Sequence, residues 1–414
     1  MLLYRIIVFL ISPFIFIHYI ARLFRGRETL QSIADRFAFF QHERPKGEII
    51  WMHGVSVGEV SVVINIIKIF QQQKNIPYFL VTTSTQSSKE LFKNSLLKNS
   101  CHVYAPLDMT FVVKRFIRHW RPKTVVFIDS ELWPNLIFQI AEEGIPILLF
   151  NARMSDDSYK KWLFFQTFIK NILKKFYIIA ACSKRDYNYY NYLSEQNTIL
   201  LGNLKYAAPS LNCNTKNLRA LRSKLSSKRI WVAASLHAAE ERQILDTHNQ
   251  LKKEIKNLFT VIVPRHPIRR KSIELMLRKD QISYICNIKA YQERNELMLV
   301  SEIGVLGDYF RISEIVFIGG TFAKIGGHNL LEPSKLRCAI LMGPFFYNFQ
   351  DITESFIAKD AVRIVHGSKE LSKELSLLMR NDDLRATLVQ NAFDASQRHG
   401  DVIHRVVEEI QKVG

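Results

Sequence analysis

The stretch His53-Gly54-Val55-Ser56-Val57-Gly58-Glu59 sets a carboxylate at the end of an apolar run and at the start of a long amphipathic segment. A strand feeds a small-residue loop, and the loop feeds a helix. In alternating strand-helix proteins, ligands bind outside the carboxyl ends of the strands, so Glu59 is a candidate for proton transfer there. The same spacing, Ser56-x-x-Glu59, is that of a capping box, and from spacing alone capping is the commoner outcome. Three further strand ends carry polar groups: Asp129-Ser130-Glu131-Leu132-Trp133-Pro134-Asn135, Asn151-Ala152-Arg153 and Gly202-Asn203-Leu204-Lys205. Each alone reads as loop or capping chemistry. Parallel strands, however, deliver all their carboxyl ends to one edge, where Glu59, Asp129, Glu131, Arg153 and Lys205 would line one wall.

The second half repeats the pattern with a different chemistry. Ser235-Leu236-His237-Ala238-Ala239-Glu240-Glu241 and Val263-Pro264-Arg265-His266-Pro267 each follow an apolar run, and a third run leads into Gly319-Gly320-Thr321-Phe322-Ala323-Lys324-Ile325-Gly326-Gly327-His328-Asn329-Leu330-Leu331-Glu332. Paired glycines let backbone N–H groups approach a phosphate, and a helix starting near His328 would aim its positive end at that anion. Glu332, one turn on, could accept hydrogen bonds from a sugar. His237, His266 and His328 fall on loops of one domain, but no carboxylate-histidine spacing supports a metal site.

Apolar runs of strand length at 49–52, 78–82, 102–104, 124–128, 147–150, 178–181 and 198–201 alternate with helical patterns such as Val60, Val63, Ile64, Ile67 and Phe70. A polar, proline-containing stretch without periodicity follows at 207–214 and reads as a linker. The alternation then restarts at 230–234, 259–263, 283–286, 298–300, 315–318, 339–342 and 362–365. The expected fold class is therefore α/β, two doubly wound Rossmann-like domains facing a cleft, at residues 25–206 and 215–414. The last helix of the second is a candidate to pack back on the first.

Ahead of the first domain, residues 6–21 are apolar except for Ser12 and His18, with Arg5 before them and Arg22, Arg25 and Arg27 after. Such a helix covers about 24 Å, short of the ~30 Å hydrocarbon core unless the arginines snorkel. Residues 1–24 thus read as an uncleaved membrane anchor, spanning or shallow, with the flanking arginines placing the remainder on the cytoplasmic side. A second amphipathic segment, Lys160 to Lys175 with Trp162, Phe165, Ile169, Ile172 and Phe176, suits either a core-facing helix with a solvated lysine face or a lipid surface. The net charge of +19 implies an anionic partner. Five widely spaced cysteines suit a reducing compartment and argue against structural zinc.

Taken together, these segments resemble the bacterial 3-deoxy-D-manno-octulosonic acid (Kdo) transferases almost end to end. The resemblance rests on Ser56 to Glu59, Glu131 to Asn135, Asn151 to Ser155, Gly202 to Lys205, Val263 to Pro267, Phe317 to Gly320, Gly326 to Glu332 and Gly343 to Phe349. It implies a GT-B glycosyltransferase held at the inner membrane, inverting and metal-independent, that needs no cofactor and joins Kdo from CMP-Kdo to a lipid A precursor. The first domain would bind the acceptor and the second the CMP-sugar. By the same resemblance Glu59 is the general base and Asp129 and Lys205 stabilise the transition state. Pro264, Arg265, Ile303, Gly304, Val305, Asn329, Leu330, Leu331 and Glu332 hold CMP.

Three positions depart from the family pattern. Asp129 stands where Glu is usual and is shorter by a methylene. Ile303-Gly304-Val305-Leu306 lacks the family's carboxylate, which leaves Val305 backbone or apolar contacts only. Leu236 replaces a threonine before His237. The alternatives are a GT-B transferase using another nucleotide sugar, and a basic, membrane-tethered binding protein without catalysis. No nucleic-acid motif is present and the basic residues are scattered rather than striped, so nucleic acid is not an expected partner.

Overall fold

Among the described residues, fourteen strands form two seven-stranded sheets in which every pairing is parallel. The computed structural model describes all residues except 27, 41, 42, 130, 195, 196, 208, 209, 303, 398–401 and 414, and omits the side chains of residues 205 and 207. The first sheet comprises β1 (Ile49–His53), β2 (Tyr78–Thr83), β3 (Ser100–Tyr104), β4 (Thr124–Ile128), β5 (Ile147–Ala152), β6 (Ile178–Ala181) and β7 (Thr198–Leu200), in the order β3-β2-β1-β4-β5-β6-β7. The second comprises β8 (Arg229–Leu236), β9 (Leu258–Pro264), β10 (Tyr284–Ile285), β11 (Leu297–Leu299), β12 (Ile315–Ile318), β13 (Ala339–Met342) and β14 (Arg363–Ile364), in the order β10-β11-β9-β8-β12-β13-β14. All fourteen lie within two residues of the predicted runs. The strand order reverses between β1 and β4 in one sheet and between β8 and β12 in the other, the points where doubly wound sheets bind ligands.

The chain divides into two compact units, Met1–Ala208 with His399–Gly414, and Pro209–Arg398. In the first unit the period of two along each strand sends alternate residues to opposite faces. Trp51, Val125, Phe127 and Leu149 pack under the helices Thr110–Trp120, Pro134–Glu142 and Gln166–Leu173. On the other face Ile50, Met52, Val126 and Phe150 pack under the helix Val57–Phe70. The C-terminal helix Val402–Val413 belongs to this unit. Its buried residues Val402, Ile403, Val406, Val407 and Ile410 recur at helical spacing and close the core over Val57–Phe70. In the second unit Trp231, Ala233, Ile262 and Phe317 meet Ile244, Ile273, Leu371 and Leu375 in the same way.

The N-terminal helix is Leu2–Phe24, longer than the apolar run. Pro13 lies inside it and cannot donate to the carbonyl of Phe9. The Ser12 hydroxyl donates to that oxygen instead, at 2.7 Å. One side of the helix lies against the first unit along its length. Tyr4 donates to Asp108 (2.7 Å), Arg5 pairs with Glu142 (3.1 Å), Phe16 meets Phe37 edge-on and Arg22 pairs with Glu28 (3.1 Å). The other side, with Leu3, Phe9, Leu10, Phe14 and Ile17, is exposed.

Lys160 to Lys175 is two helices, Asp156–Phe164 and Gln166–Leu173, where one was expected. The break falls at Phe165, whose φ of −109° and ψ of 36° are not helical. The second piece buries Ile169, Ile172 and Leu173, while Phe164 and Phe165 stay exposed.

Buried histidines set the acid limit of this fold. His53 and His248 are each enclosed beside a strand threonine, Nδ1 lying 2.8 Å from the hydroxyls of Thr82 and Thr260. Burial lowers both to about 4, and His102 to about 3. In the unfolded chain each titrates near 6.5, so unfolding takes up protons below that pH. The stability these groups carry is complete above about pH 6.5 and is lost as pH falls toward 4. Denaturant midpoints should therefore drop steeply between pH 6.5 and 4.5, with proton uptake on unfolding; a flat profile would contradict the burial.

Candidate active site

Glu59 occupies N3 of the helix Val57–Phe70, and its backbone N–H donates to Ser56 Oγ at 3.3 Å. Its carboxylate accepts from Val55 N (2.6 Å) and from Ser56 Oγ (2.5 Å). The cap is thus formed, reaching one residue further back than the usual box. A carboxylate has about four lone-pair positions and two are used, so the cap fixes Glu59 without exhausting it.

Asp129, at the end of the neighbouring β4, has φ of +69°. This left-handed conformation is uncommon outside glycine but tolerated by Asp and Asn, and Asn151 at the end of β5 shares it with φ of +59°. Such backbone costs free energy and concentrates at functional sites. Glu131 completes the group. Burial pushes its carboxyl above the usual range, as do the charges of Glu59 and Asp129, while a 2.6 Å hydrogen bond from the Trp133 indole opposes the shift. Three acidic side chains are therefore in electrostatic contact at the β1/β4 switch point, with the buried His53 Nε2 4.0 Å from Glu131.

The other sequence-derived groups hold the loops. Asn151 Oδ1 accepts from Leu204 N at 3.1 Å, tying the end of β5 to the turn Leu204–Ala207 that carries Lys205, whose side chain lies outside the described residues. Arg153 Nε donates to Cys182 Sγ at 3.2 Å. Asn135 and Leu136 donate their backbone N–H groups to Asp108 (3.1 and 2.7 Å), which caps the helix Pro134–Glu142 from a distant loop. Asp108 was not legible as a site residue, because its partners lie 27 and 28 positions away.

In the second unit the expected anion loop is organised differently. Gly319 N donates to Ala234 O, while Gly320, Thr321 and Phe322 donate to the carboxylate of Glu240 at 2.7, 2.9 and 2.9 Å. His237 N adds a fourth bond to Glu240 at 3.0 Å. The amides of the first glycine pair are thus already taken, and Gly319 is required because a Cβ there would sit 2.6 Å from Ser235 O. The helix predicted near His328 starts at Leu331 and ends at Lys335. Gly326, at φ of +100°, leaves helical backbone, and Asn329 Oδ1 caps Leu331 N at 3.0 Å.

His237, His266 and His328 do come together. His237 and His328 share a 2.9 Å Nε2 contact, and the His266 ring stands edge-on to His237. Burial, with Arg265 and the other two imidazoles, holds His328 down at about 4. Glu332 accepts from Asn329 Nδ2 at 3.3 Å; burial pushes its carboxyl up, while Arg265 pulls it down. Pro264, Leu330 and Leu331 are buried, and the Leu330 carbonyl accepts from Ser334 Oγ at 2.5 Å. Gly304 is exposed, Val305 caps the short helix Leu306–Phe310, and Ile303 lies outside the described residues. The β8/β12 switch point therefore presents a guanidinium, three imidazoles and a buried carboxyl.

Residues 31–208 match the family described as 3-deoxy-D-manno-octulosonic-acid transferase. The curated 3-deoxy-D-manno-octulosonic acid transferase of Rickettsia bellii is 32% identical over 100% of this chain and 99% of its own length. The chain belongs to the Kdo transferase family. The transferase of Haemophilus influenzae is 30% identical over 91% of this chain and 90% of its own. Among solved structures, the UDP-GlcNAc 2-epimerase of Neisseria meningitidis, bound to UDP-GlcNAc, aligns with a TM-score of 0.60 and 12% identity over 88% of this chain and 100% of its own, a likeness of fold. This member of the Kdo transferases is accordingly a glycosyltransferase built on two doubly wound α/β domains of the GT-B kind.

In this transferase Glu240 is the group most needed to shape the second switch point. Glu240→Gln would turn one oxygen into an N–H donor facing backbone donors, at a cost of about 3 kcal/mol or more. The second unit should melt earlier in guanidinium titrations; a midpoint equal to that of the parent would remove Glu240 from this role.

Proposed function

We propose that the protein transfers Kdo from CMP-Kdo to a lipid A precursor on the cytoplasmic face of the inner membrane, with inversion and without a metal ion. Family membership combined with three mutually charged carboxyl groups at the β1/β4 switch point carries this reading. In the proposed reaction an acceptor hydroxyl attacks the anomeric carbon of Kdo as the bond to the CMP phosphate breaks. Its proton passes to Glu59, the one general base an inverting displacement needs. The capped geometry supports that role, since a base fixed by two hydrogen bonds loses little freedom when substrate arrives. Asp129 and Lys205 stabilise the transition state. Arg265, with the backbone of Pro264, Ile303, Gly304 and Val305 and the segment Asn329-Leu330-Leu331-Glu332, holds CMP, whose phosphate gains negative charge as it leaves.

The N-terminal helix supports membrane attachment of a particular kind. Its mean hydropathy reaches 2.1 and its 23 residues extend about 34 Å. Because residues from Tyr4 to Arg22 touch the first unit, the helix lies along the membrane surface with Phe9, Phe14 and Ile17 in one leaflet. The exposed Phe164 and Phe165 extend this face, since Trp162 and Tyr4 both meet Phe168.

Incubation with CMP-Kdo and the lipid precursor, and separately with UDP-sugars, tests the activity; transfer from a UDP-sugar alone would reject it. Glu59→Gln should retain CMP-Kdo binding while turnover falls by about a hundredfold or more, and near-parental turnover would leave Glu59 as a cap only. Replacing Phe9 and Phe14 by Glu should move the protein from vesicles to the supernatant in flotation without changing its melting temperature. Retention on vesicles would argue for a helix held in the bilayer by other contacts.

A further inference from the structure

The amino ends of β8 and β12, at the edge of the second sheet away from its switch point, border a cavity of about 330 Å³. Its floor is apolar, with Leu221, Leu225, Ile315 and Met379 all buried. Among the described residues its lining carries five cations, Arg222, Lys228, Arg229, Arg311 and Arg385, against the one carboxylate of Glu314. β8 runs eight residues from Arg229 to Leu236, about 23 Å at ~3.3 Å per residue, so the cavity is separate from the group formed by Arg265, His237 and His328.

The positive charge there is neutralised unevenly. Arg385 takes the carboxylate of Glu314 (2.7 Å) and also pairs with Asp382 (2.9 Å). Lys228 is turned aside, its Nζ donating to Glu293 O at 3.0 Å. Arg311 donates Nη1 to Gly307 O (2.8 Å), which secures the short helix Leu306–Phe310 but brings no counter-charge. Arg222 and Arg229 have no ion pair or side-chain hydrogen bond among the described residues. Arg222 stands in the last turn of the helix Thr215–Lys224, where the helix dipole favours a cation. That accounts for its place and not for Arg229, which opens a strand. Three guanidinium groups thus share one concavity without a carboxylate, and their planar forks suit phosphate oxygens taken in pairs.

We propose that this cavity binds a small soluble polyphosphate, an anion of the pyrophosphate class, through Arg222, Arg229 and Arg311. The volume equals about eleven water molecules at ~30 Å³ each, room for two linked phosphates and their hydration. An anion held by Arg229 and Arg311 ties the start of β8 to the segment that leads into β12, its neighbour in the sheet. The opposite ends of these two strands carry His237 and Gly320. Because the anion binds the folded unit, it raises the stability of that unit by mass action without entering the second switch point.

Isothermal titration calorimetry of the full-length protein with inorganic pyrophosphate, in the presence of excess CMP, tests this. Pyrophosphate should still bind, and Arg222→Gln combined with Arg229→Gln should weaken it by about a hundredfold, since a charged hydrogen bond is lost at each position. Arg222→Lys combined with Arg229→Lys, which keeps the charge and loses the fork, should fall between that variant and the parent. Both arginines are exposed, and an unchanged melting temperature in the absence of pyrophosphate verifies that the variants fold. Lys253→Gln combined with Lys369→Gln removes the same charge from another surface of this unit and should change the affinity by less than about twofold. Equal weakening by the arginine and lysine pairs overturns the proposal, because attraction to the net charge of +19 would then explain the binding. Displacement of pyrophosphate by CMP in the parent overturns it as well, since the anion would then sit at the second switch point. So does a parent that binds no pyrophosphate.

Discussion

Backbone N–H groups at the carboxyl ends of parallel strands have no partner within the sheet, and a buried one left unpaired is costly. In this protein carboxylates take them. Glu240 accepts four, Asp108 accepts two and Glu59 accepts one. Each of these acids closes a loop at or beside a point where strand order reverses. The loops could not hold their shape without the negative charge, nor the charge its burial without the amides. The switch point of each unit thus rests on one exchange, a carboxylate for a set of orphan donors.

That exchange bears on how Glu59 is understood. Capping and proton transfer looked like rival roles from the spacing of Ser56 and Glu59, yet the geometry makes them compatible. A base must be held within about 0.5 Å of its productive position, and a cap is a means of holding it there. The left-handed backbone of Asp129 and Asn151 has a similar meaning. It turns the chain sharply at the strand ends, where Asn151 Oδ1 also secures the segment bearing Lys205.

The architecture was legible because fully buried parallel strands read as short apolar runs, and all fourteen did so. The placement of Glu59, Asp129 and Arg265 just past strand ends was legible too, since parallel strands bring all their carboxyl ends to one edge of a sheet. The bonding of Glu240 and Asp108 was not, because three of the four amides on Glu240 lie 80 residues or more away and those on Asp108 lie 27 and 28 away. The Gly319-Gly320 pair misled for a related reason. Glycines that admit a phosphate and glycines that admit a neighbouring carbonyl carry the same signature, and the latter applies here. The break at Phe165 also escaped the periodicity, as no proline or glycine marks it.

The central claim is that buried carboxylates hold the site loops as firmly as the sheets hold their strands. Amide hydrogen exchange on the intact protein measures it directly. Gly320, Thr321 and Phe322 should exchange as slowly as the amides of β8 and β12, opening only with the whole unit. Exchange of these three at the rate of exposed loop amides such as Glu293 and Arg294 would contradict the account.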